Sequence, residues 1–130
     1  MRTIKYIVAH CTATPQNTTV ESIKNYWKNN LKWKNVGYHY LIDKDGEVHQ
    51  LSDESQPTNG VKGFNQVSIH VSYIGGQKVD DRTDLQKASM LGLMKHLRDK
   101  YPNAIIQGHR DFPNVAKACP RFNAKDEFNF

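Results

Sequence analysis

Two residues of this 130-residue chain are cysteine, Cys11 and Cys119, too few for a disulfide-built scaffold. A domain of this length buries roughly two-thirds of its unfolded surface and needs no staples. No apolar run approaches the ~20 residues that a membrane span requires, so no membrane partner is expected. The first ten residues hold no signal-peptide hydrophobic region followed by a small-residue cleavage site, so cytoplasmic synthesis is expected. A reducing compartment argues against pairing Cys11 with Cys119. Blocks of five or six like charges are also missing. The net charge of +5, from 18 Lys and Arg against 13 Asp and Glu, favours anionic partners. Its dispersion reads as a solvated surface, and no nucleic-acid partner is expected. No repeat, low-complexity tract or linker divides residues 1–130, which are read as one domain.

The elements present are mixed. Thr3 to Ala9 is rich in β-branched and aromatic residues and reads as a strand ending at His10. Thr18 and Glu21 form a capping-box pattern before a helical stripe of Val20, Ile23, Tyr26 and Trp27. Tyr38–Ile42 and Glu47–Leu51 flank an Asp-Gly turn and predict a hairpin. A long loop, 52–67, precedes a strand over Ser68–Ile74. Thr83 and Gln86 cap a helix whose inner side is expected to carry Leu85, Ala88, Leu91, Met94 and Leu97. Ala104–Gln107 is a short strand that delivers Gly108, His109 and Arg110 to the last loop, before a short terminal helical turn. The pattern predicts an α/β domain.

Six histidines invite a search for ligands. His10 and His109 each terminate an expected strand, where a rigid scaffold presents functional side chains. Cys119 follows in a proline-flanked loop able to fold back to the same sheet end. Two imidazoles and a thiolate suit zinc and leave a fourth position for water. Residue types alone leave other readings open, including buried or surface histidines and a cysteine hydrolase using Cys119 with His109. His39, His49 and His96 read as structural or solvent-facing, Cys11 as a small buried hydrophobe, and Trp27 and Trp33 as packing residues.

Four ordered motifs carry more. Val8-Ala9-His10-Cys11-Thr12-Ala13-Thr14, Val36-Gly37-Tyr38-His39-Tyr40, Gly108-His109-Arg110-Asp111 and Lys117-Ala118-Cys119-Pro120 together resemble the zinc N-acetylmuramoyl-L-alanine amidases. This is the phage-lysozyme and peptidoglycan-recognition-protein type, and the likeness spans nearly the whole chain. The resemblance implies a central mixed β-sheet flanked by helices, with one zinc ion at the floor of an open groove. By position it assigns the metal to His10, His109 and Cys119. Tyr38 and Lys117 take the catalytic positions, where a hydroxyl and a cation stabilise the oxyanion of amide hydrolysis.

The resemblance also implies a peptidoglycan or muropeptide substrate and a monomer. Such an enzyme reaches the wall after release by another factor, or works on cytoplasmic wall fragments. The alternatives are a catalytically weak peptidoglycan-binding module of the same fold and a regulatory partner of a phage polymerase. Recognition relatives without activity typically lack the cysteine ligand, and Cys119 is present here. The chain departs from the family pattern at three places. His70 stands where glycine is usual and is a candidate for a group that supports a metal ligand without touching the metal. Gly60 stands where many relatives carry histidine, and Ser72 where some branches carry a catalytic glutamate.

Overall fold

Alternation along the central strands decides the layout. The computed structural model describes residues 2–115 and 118–130. Its strands are β1 (Tyr6–Cys11), β2 (Tyr40–Ile42), β3 (Val48–Gln50), β4 (Ser68–Tyr73) and β5 (Ile105–Gly108). They form one sheet in the order β3-β2-β4-β1-β5, parallel except for the antiparallel edge strand β3. Ile7, Ala9 and Cys11 of β1 and Ile69, Val71 and Tyr73 of β4 face one side. There they pack with Met90, Met94 and Leu97 of helix α2 (Asp84–Lys100), and with Ala124 and Phe128 at helix α3 (Ala124–Glu127). The alternate residues Val8, His10, Ser68, His70 and Ser72 are buried too. Val8 packs under Val61 and Phe112 from two long loops. Leu41 packs with Ile23 and Trp27. Coverage of both faces explains why the parallel strands β1 and β4 lack a solvent side.

The structure corrects several boundaries. β1 runs through His10 and Cys11 instead of stopping at Ala9, because β4 is long enough to pair with both (His10 beside Ser72, Cys11 beside Tyr73). Helix α1 (Val20–Asn25) is capped by Thr19, not Thr18. Thr18 is occupied in the preceding turn, where its hydroxyl donates to the Pro15 carbonyl at 2.7 Å. The helix then widens into a π-helical turn, Tyr26–Asn30, that buries Trp27. The capping box of Thr83 and Gln86 on α2 forms as expected.

The inner side of α2 is nevertheless rotated from the expected stripe. Leu85, Ala88 and Leu91 are exposed, while Gln86, Met90, Met94 and Leu97 are buried. Gln86 turns inward because its amide donates to the Ile42 and Ile74 carbonyls, at 3.2 and 3.0 Å. The Ile42 carbonyl also accepts the Ile74 N–H, so the glutamine adds a second bond there and pairs the Ile74 carbonyl, which offsets the cost of burying its amide. His49, expected in solvent, is half-buried and bonded to Asp43 at 2.9 Å, where it braces the hairpin turn. His96 is exposed as expected. Among the described residues no helix is long and apolar enough to cross a membrane.

One buried carboxylate ties loop 52–67 to the sheet and to α2. Glu54 accepts from the hydroxyls of Tyr40 and Tyr101 (2.7 Å for the latter) and pairs with Lys100 at 2.9 Å. Burial raises the Glu54 carboxyl, but these donors outweigh burial and leave it below its ordinary 4.5. A lowered carboxyl contributes stability at neutral pH that is lost as pH falls through its folded value. Glu54→Gln is therefore expected to cost about 1–3 kcal/mol at pH 7. Urea unfolding of both proteins should show that difference shrinking steadily below about pH 4, as Glu54 itself becomes protonated. A pH-independent difference would assign the effect to packing.

Candidate metal centre

Parallel sheets present functional groups at the carboxyl ends of their strands. His10 lies near the end of β1, and His109 follows β5, which runs beside it. The turn after β5 is a 3₁₀ segment, His109–Asp111, set by the Asp111 carboxylate, which accepts the Gly108 N–H at 2.8 Å. Cys119 reaches the same place through a loop pinned at several points. The Cys119 carbonyl accepts the Arg110 N–H at 2.9 Å, and Tyr73 donates its hydroxyl to the Pro120 carbonyl at 2.7 Å. Arg121 donates to the Gly76 and Gln77 carbonyls at 3.0 and 2.9 Å.

The result is one cluster. The ligand atoms of His10, His109 and Cys119 all lie within 4.8 Å of one another. The His10 and His109 ring centroids are 4.9 Å apart. His10 is buried and the other two are half-buried. The Cys119 sulfur accepts the Cys11 backbone N–H at 3.0 Å. Such a bond stabilises the thiolate, the form that binds a metal. Two imidazoles and one thiolate within mutual reach fit tetrahedral zinc with a fourth position open. Asp43, Glu47 and His49 form a second group of nearby ligand atoms. Its hydrogen bonds are those of the hairpin turn, where Asp43 accepts the Asp45 and Glu47 N–H groups.

Tyr38 stands over the cluster, its ring 5.0 Å from that of His10 and 5.4 Å from that of Trp27. Its hydroxyl donates to the Cys11 carbonyl at 3.3 Å. Burial, and then the nearby Cys119, push the phenol far above its ordinary 10, so it keeps its proton. Lys117, the other expected catalytic residue, lies outside the described residues. Ser72 is buried on β4 beside His10.

A groove of about 780 Å³ opens beside His109, lined by Trp33, Lys62, Phe64 and Asn114. A separate cavity of about 350 Å³ lies on the other side of Tyr38, between Thr12, Ser22 and Tyr26. Trp33 stacks on buried Trp27 at 6.4 Å, so the pair packs as expected while Trp33 also faces the groove.

His70 is fully buried behind His10. Its Nδ1 is 2.8 Å from His10 Nε2, and its Nε2 is 2.9 Å from Asn65 Oδ1. Burial, with His39, His109 and Arg2 nearby, pushes its pKa well below 6.5. His39 stacks on it at 6.0 Å and accepts the His70 backbone N–H at 3.0 Å, a structural role as expected. Asn65 carries no motif that marks it in the sequence. Its only signal is an Asn three residues before a strand, in a loop rich in turn residues.

A mostly parallel α/β sheet carrying a His-His-Cys cluster at its strand ends, beside a groove, holds the donor set of a candidate metal centre. The profile of the N-acetylmuramoyl-L-alanine amidases matches residues 1–122. The endolysin of Enterobacteria phage T3 is 36% identical over 132 residues, covering 95% of this chain and 84% of that protein. The endolysin of Escherichia phage T7 is 36% identical over 128 residues, covering 92% and 82%. Among solved structures, the endolysin amidase LysCS from Clostridium intestinale superposes with a TM-score of 0.83 at 26% identity, covering 98% of this chain and 85% of that one. The chain belongs to the N-acetylmuramoyl-L-alanine amidase family. It is a peptidoglycan amidase, acting on the amide between N-acetylmuramic acid and L-alanine.

Proposed function

We propose that the chain is a zinc-dependent amidase of the endolysin type, cutting intact wall with His10, His109 and Cys119 as its ligands. The observation that carries this reading is the convergence of those three donors within 4.8 Å beside an open groove. Zinc held there would supply a Lewis acid and lower the pKa of a water toward ~7. The protein's own groups do the rest. His10 is held from behind by β1 and His70, so its imidazole is positioned before a metal arrives. Tyr38 retains its proton and donates a hydrogen bond to the carbonyl oxygen as charge develops there. The high phenol pKa favours that role over net proton delivery to the leaving amine. Lys117 would add a cation to the same oxyanion.

A cysteine hydrolase built on Cys119 and His109 would leave His10 without a role, although it lies in the same cluster. All three ligands come from one chain, so the reading needs no oligomer. An open groove beside His109 suits a polymer better than an enclosed pocket would. These features favour wall over small recycled fragments.

The test is release of new L-alanine amino termini from purified peptidoglycan and from soluble muropeptides, with chelator and with zinc added back. Release from intact wall, abolished by chelator and restored by zinc, is expected. Release confined to soluble fragments would indicate wall recycling instead. Chelator-resistant release would contradict zinc dependence.

A further inference from the structure

Behind the metal cluster lies a chain of hydrogen bonds whose direction is fixed from its far end. Asn65 Oδ1 accepts the backbone N–H of Gly60 at 3.0 Å and of Val61 at 2.8 Å. Two N–H donors settle the orientation of that amide, because only oxygen can accept them. The His70 Nε2 at 2.9 Å from the same oxygen must then carry the proton. A neutral imidazole has one donor and one acceptor, so His70 Nδ1 is the acceptor. Its partner at 2.8 Å, His10 Nε2, must therefore be the donor. The lone pair of His10 is left on Nδ1.

We infer that Asn65 and His70 form a relay that fixes the tautomer of His10 and makes Nδ1 its metal-ligating atom. Gly60 is the residue that makes room for this relay. A Cβ at position 60 would lie 2.4 Å from the His70 Cγ and Nδ1, inside any tolerable contact. The same Gly60 supplies one of the N–H groups that orient Asn65. His70 and Gly60 are thus a matched pair, the ring of one filling the space that the other leaves open. His70 is a positioning residue, acting on the metal through His10. The inference rests on the zinc reading above.

The test measures zinc affinity by competition with a chromophoric chelator and the His10 tautomer by ¹⁵N NMR of the zinc-loaded protein. Wild type is expected to bind one zinc, with His10 coordinated through Nδ1 and protonated at Nε2. His70→Leu keeps an apolar filling but offers no acceptor, and its zinc affinity is expected to fall ~10–100-fold. His70→Gln, whose amide oxygen can accept from His10, is expected to recover most of that loss. A purely space-filling role would not distinguish these two variants.

Gly60→Ala is expected to weaken zinc binding although residue 60 touches no ligand. In a His70→Ala background it should cost nothing further, a non-additivity that marks direct coupling. Coordination of His10 through Nε2 overturns the relay, and that measurement needs no variant. Zinc affinity of His70→Leu within twofold of wild type overturns it as well. Failure of wild type to bind zinc at all would sink the zinc reading itself, and the relay with it.

Discussion

Cys119→Ser is expected to abolish stoichiometric zinc binding and amide hydrolysis while leaving a folded protein. The sulfur is one of three donors, and a serine hydroxyl is a far poorer ligand for zinc than a thiolate. The loss should exceed the ~100-fold that removing an outer-shell partner costs. Folding should survive because Cys119 packs only at the edge of the α2-face core, and serine nearly keeps its volume. Ile7, Ile69, Met90, Met94 and Leu97 are all fully buried on the side away from His10. The sharpest reading of this variant is thermal. A ligand that binds only the folded state adds RT ln(1 + [L]/Kd), about 2.7 kcal/mol at a hundred times Kd. Zinc should therefore raise the Tm of wild type by several degrees and leave that of Cys119→Ser unmoved. Full activity with zinc unbound in this variant would remove Cys119 from the ligand set.

Tyr38→Phe should separate chemistry from metal binding. The phenol stands beside the cluster with its ring against that of His10. Removing a single preorganised donor from an oxyanion site typically costs 10²–10³ in kcat, or about 2.7–4 kcal/mol. Zinc stoichiometry should be unchanged, and stability should fall by no more than ~1 kcal/mol. The hydroxyl's bonds are a long one to the Cys11 carbonyl at 3.3 Å and one to the Ser72 side chain. Single-turnover hydrolysis of a muropeptide by the zinc-loaded variant measures the effect. A loss below threefold would make Tyr38 a packing ring between His10 and Trp27 and nothing more.

Much of this arrangement is legible in the chain before folding. Element types follow from local rules: the Asp-Gly turn gives the hairpin, and Thr83 with Gln86 starts α2. The ligand set required more, because His10, His109 and Cys119 are far apart in sequence and only parallel pairing of β1 with β5 joins the first two. Ordered motifs, and not spacing, made them visible. The inner stripe of α2 differs from the expected one because hydropathy favours Leu85 and Leu91 over Gln86. The two carbonyls that Gln86 satisfies belong to strands distant in sequence. The Asn65–His70–His10 relay was hidden for the same reason: it needs the strand register to bring His70 beside Val8, one pleat from His10.

The most direct measurement is the zinc K-edge X-ray absorption spectrum of the protein loaded with one equivalent of metal. The His10, His109 and Cys119 centre predicts one sulfur at about 2.3 Å and two imidazole nitrogens at about 2.0–2.1 Å, with a light atom completing four-coordination. A spectrum with only nitrogen and oxygen neighbours would contradict it.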